Sequence, residues 1–178
     1  MAEVAPRGPD SGTRERLDAL RARPRRPGEA SFFWYEAEFR REAVKVLPGE
    51  YAAHAEDVLI MTVLGSCIAC CLHDPGARVG GMNHFMLPGD RGAGGRYGAF
   101  AMGALIDALV RLGARPEALQ AKVFGGARLL GGTDGAGVGE RNTRFVLDYL
   151  GRARIPVVSQ DVLDVVARKL AFLPVNGR

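Results

Sequence analysis

Cysteine is scarce in this chain and poorly spaced for a scaffold: Cys67, Cys70 and Cys71 are the only three. An odd count packed this closely cannot form the spaced disulfide framework of a small secreted domain, so a reducing compartment is expected. Lysine is nearly missing too, with Lys45, Lys122 and Lys169 against 21 arginines, and the formal net charge is only +4. That is little concentrated basicity for phosphate-backbone contacts, and nucleic acid is not an expected partner. Long hydrophobic runs are absent. The longest uncharged stretch, Val58 to Leu72, has 15 residues and contains Gly65 and Ser66, short of the ~18 that a membrane span needs. No apolar run precedes residue 31, so neither a signal peptide nor membrane insertion is expected, and the chain reads as soluble and cytoplasmic.

What is present is 178 residues with 47% hydrophobic content and 24 glycines. The length suits one domain, and the glycines, about twice the usual share, suggest many tight turns. Residues 1–30 carry seven Arg, five acidic residues and four Pro, with Val4, Leu17 and Leu20 as the only large aliphatics. Such a segment reads as a flexible, solvated Arg/Pro-rich arm, in which RERLDALRARPRR could form a short helix that Pro24 ends. The domain proper is expected over 31–178.

Strand composition appears at Glu42–Leu47 and Val58–Val63, then at Ile68–His73 and Val79–Leu87 on either side of Asp74-Pro75-Gly76-Ala77, a hairpin turn sequence. Tyr97, Ala101, Leu105, Leu109 and Leu112 recur at helical spacing, and Gly113 should stop that helix. Ala121–Phe124 reads as a buried strand. Asn142 is a plausible N-cap for a second helix to Leu150, with Phe145, Val146, Tyr149 and Leu150 facing inward. Ile155–Val158 is a further strand, Asp161–Lys169 is compatible with strand or helix, and Leu170–Val175 is strand-like. The expected class is α/β (α+β): a mixed, largely antiparallel sheet with helices packed on one side.

The strongest chemical signal is Cys67, with His84 17 residues on. A zinc site over Cys67, Cys70, Cys71 and His73 fails on geometry, because Cys70 would face the opposite side of the strand and Cys67 to Cys71 spans about 13 Å at ~3.3 Å per residue. No metal is expected. Cys70 and Cys71 read as small buried hydrophobes. For Cys67 a nucleophile with a base is preferred: if Pro75 and Gly76 are the central turn residues, opposed positions sum to 151, and Cys67 faces His84. Directly opposed side chains have Cβ atoms about 4.5–5.5 Å apart, where imidazole could hold a thiolate near neutral pH. A bulge at Gly80-Gly81 would break that match. Gly65 and Ser66 fit a tight strand entry whose N–H groups could face an oxyanion.

The segments TVLGSCIACCLHDP, GGMNHFMLP, RYGAFAM, KVFGGA, VGERN and IPVVSQD, in this order over about residues 31–161, resemble the chemoreceptor glutamine deamidases, the CheD family. The resemblance implies a layered α/β/β sandwich similar to the catalytic domain of cytotoxic necrotizing factor toxins. It implies hydrolysis of glutamine side chains to glutamate on methyl-accepting chemotaxis receptors, with Cys67 as nucleophile, His84 as acid and base through a thioester, and Thr62 orienting His84. No cofactor is implied. Ser66, Gly65, Asn83, Gly125, Gly126 and Asn142 are candidates for substrate or oxyanion contacts. The resemblance also implies a CheC-type phosphatase as a candidate partner, since some relatives bind one. A regulator that only docks receptors or such a phosphatase, and a receptor methylesterase, are the alternatives. One departure stands out: many relatives carry Gly-Gly-x-x-x-Arg after the Asp near 161, where this chain reads Asp161-Val-Leu-Asp-Val-Val-Ala-Arg168, which puts substrate docking on that side in question.

Overall fold

A computed structural model describes residues 9–89, 94–128 and 137–178. Its elements, in order, are α1 (Ser11–Ala22), β1 (Phe32–Glu36), β2 (Arg41–Lys45), β3 (Tyr51–His54), β4 (Leu59–Leu64), β5 (Ile68–Asp74), β6 (Val79–Phe85), α2 (Gly98–Arg111), β7 (Gln120–Gly125), α3 (Val138–Arg152), β8 (Val157–Val162) and β9 (Arg168–Phe172). The strands form two sheets, β1-β2-β4-β9 and β3-β6-β5-β7-β8. Within them only β2–β4 and β7–β8 pair in parallel, so the expected mixed, largely antiparallel α/β class is the one observed.

The layering follows from period-two alternation along the central strand. On β5, Ile68, Cys70 and Leu72 pack with Met102, Leu105 and Leu109 of α2 and Val146 and Leu150 of α3. Ala69 and Cys71 turn the other way and join Val44, Ile60, Leu64 and Phe172 of the four-stranded sheet. One sheet is therefore sandwiched between two helices and a second sheet. Each fully buried Leu or Ile here contributes roughly 1.5–3 kcal/mol.

Two sequence expectations change. Residues 11–22 are not a solvated arm: Asp10 caps α1 by accepting from Thr13 N (2.7 Å), and Leu17 and Leu20, 5% and 3% exposed, enter the core between the sheets. Arg16 pairs with the buried Glu42 at 2.6 Å, and Arg21 donates to Phe33 O. Two leucines three apart suffice because the sandwich supplies the rest of their burial. Residues 1–8 of the expected arm lie outside the described residues.

The hairpin register is the second change. Ile68 pairs with Phe85 and Asp74 with Val79, so opposed positions sum to 153, and His84 faces Ala69 instead of Cys67. The turn is two residues longer because Asp74, wholly buried, spends its carboxylate on Gly76 N, Ala77 N and Arg115 N, while Arg78 takes φ +56°. The ladder runs through Gly80-Gly81 without a bulge. There a Cβ on Gly81 would press on Ala52 O and Leu105, so glycine serves close packing.

At the β8–β9 connection the atypical segment keeps a tight turn. Leu163 and Asp164 adopt φ +67° and +71°, the two positions where Gly-Gly-x-x-x-Arg would place its glycines relative to Arg168. Arg168 holds the turn with a two-pronged bond to Asp161 (2.9 and 2.8 Å) and a third to Leu163 O.

Candidate active site

Residues 67 and 84 share a face of the sheet because the expected and observed registers differ by an even number of residues. A two-residue shift keeps parity, whereas a one-residue shift would have sent His84 to the opposite face. Extending the β5–β6 pairing, position 67 lies diagonal to His84 on the same side of the sheet, a separation that side chains can bridge. This side faces the four-stranded sheet, as Met82 and Ala69 do. Cys67 is the residue just before β5 and is partly exposed, while His84 is 3% exposed.

From the opposing sheet, Thr62 on β4 reaches His84: Thr62 Oγ1 lies 2.9 Å from His84 Nδ1. The same hydroxyl donates to Val46 O at 2.7 Å. A hydroxyl has one hydrogen, so Thr62 accepts from His84, and Nδ1 carries the proton. Nε2 is then the bare, basic nitrogen. It is buried and, among the described residues, has no partner. The backbone of His84 is fixed as well, by His84 N to Glu50 O and Gly49 N to His84 O.

Burial decides the charge state. It lowers His84 to about 4, partly offset by the Val46 carbonyl, and it pushes the Cys67 thiol up. Burial thus works against the charged form of each group and opposes the expected thiolate near neutral pH, because a dry site disfavours separated charges. Cys70 is pushed up to about 12 and Cys71 well above its usual range, both by full burial, so Cys67 is the most readily ionised of the three.

The glycine pair at the end of β7 lies against the backbone of the segment that carries Cys67. Gly126 N donates to Cys67 O (2.8 Å) and Ala127 N to Gly65 O (2.9 Å). Gly125 and Gly126 have φ +106° and +71°, and a Cβ on Gly125 would press on Cys67 O. Only glycine fits such an approach. Leu163 N, from the strained β8–β9 turn, donates to Gly125 O (2.8 Å) and braces the pair.

Two asparagines do not occupy the roles sketched from sequence. Asn83 neighbours His84 on β6 and so faces the other way, where its side chain accepts from Cys70 N and donates to Met102 Sδ. Asn142 is not an N-cap: α3 begins at Val138, with Gly137 as its cap, so Asn142 sits in the second turn, wholly buried. Its Nδ2 donates to Ser66 O (3.1 Å) and Met86 O (2.9 Å). Both amide hydrogens are spent, which leaves none for an oxyanion. The structure also brings in groups no residue pattern signals, because they are backbone atoms: the carbonyls of Val46 and Met86 and the N–H of Leu163. Among the described residues, no group of three or more His, Cys, Asp or Glu could hold a metal ion.

Comparison with known proteins gives concordant matches. A family model described as CheD chemotactic sensory transduction matches residues 86–178, a span that begins just after His84. A protein of Albidiferax ferrireducens named probable chemoreceptor glutamine deamidase CheD 1 is 59% identical over 177 residues, 98% of this chain and 76% of its own length. Similarly named proteins of Shewanella oneidensis and Bordetella petrii are 51% and 52% identical, covering 81% and 84% of this chain and 73% and 70% of their own lengths.

Proposed function

The chain belongs to the CheD family, and from that membership we propose that it hydrolyses glutamine side chains of chemoreceptors to glutamate, with Cys67 as nucleophile and His84 as acid and base. The observation that carries the chemistry is the buried Nε2 of His84, which has no partner among the described residues and is left basic because Nδ1–H donates to Thr62.

The reaction balances with these groups alone. The Cys67 thiol proton moves to His84 Nε2 as sulfur bonds to the carboxamide carbon, and the C=O electrons pass to oxygen. Making the ion pair only during attack suits a site whose burial disfavours both charges. The N–H of Cys67 is the nearest backbone donor, by covalent connection, for that oxyanion. On collapse the C–N bond breaks, His84 gives its proton to the leaving nitrogen, and ammonia departs from a thioester. Water then loses a proton to Nε2 as its oxygen attacks, the C–S bond breaks, and sulfur recovers the proton. Glutamate is the product and no cofactor takes part.

The proposed partners are a chemoreceptor as substrate and a CheC-type phosphatase as a second binding protein, with the cytoplasm as the place of action. Among the described residues, no helix is long and apolar enough to cross a membrane. The test is incubation of the purified chain with purified receptor cytoplasmic domains, followed by mass spectrometry for a +1 Da shift at glutamines. The expected result is a shift that Cys67→Ala abolishes. Conversion that persists in Cys67→Ala would overturn the mechanism.

A further inference from the structure

Cys67 and His84 come from different segments, and their productive geometry requires the loop ending at Ser66 to stay fixed relative to the strand end at Phe85–Met86. Backbone pairing within the sheet does part of this. Between Ser66 and Met86, however, the bond is made by a third element. Resting on the deamidase reading above, we propose that Asn142 is a positioning residue of the reaction, its Nδ2 clamping the carbonyl just before the nucleophile to a carbonyl two residues past the base.

Three observations carry this. The clamp is two hydrogen bonds from one nitrogen, to Ser66 O at 3.1 Å and Met86 O at 2.9 Å. The amide orientation is forced, because flipping it would set Oδ1 against two carbonyl oxygens with no hydrogen between them. Second, Oδ1 is buried and, among the described residues, has no partner, a state that ordinarily costs stability. An apolar residue of similar size would avoid that cost, so the amide is there for what Nδ2 holds. Third, α3 is seated against the same loop: a Cβ on Gly139 would press on Gly126 O, and one on Gly126 would press on Thr143 Oγ1. Gly126 N in turn holds Cys67 O. The helix carrying Asn142 is therefore referenced to the nucleophile at two points, and the clamp passes that reference to the His84 side.

The test compares Asn142→Ala and Asn142→Asp with Val146→Ala, a packing control one turn along the same helix. Measured on the full chain are kcat and KM for receptor glutamines, the rate of Cys67 alkylation by iodoacetamide, and Tm. Both Asn142 variants should lower kcat about ten- to hundredfold with KM within about twofold, the scale of a small misplacement of reacting groups, and slow Cys67 alkylation. Val146→Ala should lower Tm and leave both rates unchanged below it. Wild-type kcat and alkylation in a folded Asn142→Ala protein would overturn the proposal, as would losses that Val146→Ala reproduces at equal Tm. If neither Asn142 variant folds, the wild-type chain decides: NMR should find both Asn142 side-chain amide hydrogens protected from solvent exchange, and free exchange overturns the clamp. Should the wild-type chain show no deamidation, alkylation still reads the clamp, so the two readings fail separately.

Discussion

Thr62 has one hydroxyl hydrogen and the Val46 carbonyl takes it, so the tautomer of His84 is set by a residue that never meets substrate. Thr62→Val removes the acceptor for Nδ1–H and should lower kcat about ten- to hundredfold, whereas Thr62→Ser keeps the hydroxyl and should retain most activity. Equal losses in the two variants would mean the methyl group matters more than the bond. The charge state gives a second outcome. With His84 lowered to about 4 by burial, the base stays neutral through the weakly acidic range, so the acid limb of kcat/KM should fall near pH 4. A limb near 6.5, the ordinary histidine value, would show that the imidazole is far wetter than this. That positions 67 and 84 share a face was legible in the sequence because side-chain parity tolerates a difference of two residues; the turn length was not, because it depends on Asp74 meeting Arg115 N from 41 residues away.

Among the elements, the β8–β9 turn is the one most at odds with its own residues. Leu163 at φ +67° pays a steric cost that glycine would not, yet its N–H braces Gly125. Leu163→Val puts a β-branched side chain in that conformation and should cost about 1–2 kcal/mol, while Leu163→Gly should cost little, since relief of strain offsets the added freedom of the unfolded chain. Thermal unfolding of the two variants checks the order. If valine proves as stable as glycine, the left-handed backbone is not what limits this turn. With positive φ at both Leu163 and Asp164, the departure from Gly-Gly-x-x-x-Arg leaves a backbone that glycine would also take, held by Arg168 on Asp161. The start of α3 was misplaced for a related reason: a buried asparagine looks like a cap when the carbonyls it serves, Ser66 O and Met86 O, are distant in sequence.

On the scale of the whole molecule, α1 is part of the core. Leu20→Ala should lower stability by about 2–4 kcal/mol, read from urea unfolding; no loss would return residues 11–22 to the status of an arm. Acid should also weaken the fold. His54 and His84 are both lowered to about 4 by burial, whereas the unfolded chain protonates them near their ordinary 6.5. Between those values the unfolded state binds more protons, so stability is present above about 6.5 and lost as pH falls towards 4, at up to about 1.4 kcal/mol per pH unit for each histidine. Stability that rises from pH 7 to 5 would contradict both burials. By itself the sequence determined the alternation of faces along β5 and β6, the stop of α2 before Gly113 and the mixed class, and it singled out Cys67 over Cys70 and Cys71 as the candidate, since each follows from local periodicity, turn chemistry or motif. Only the tertiary structure decided that the hairpin is two residues longer, that Asn142 clamps instead of caps, that α1 is buried, and that burial disfavours charge on both the thiol and the imidazole. Those four depend on which distant carbonyls, amides and apolar surfaces a side chain meets, and on how much water is left around it.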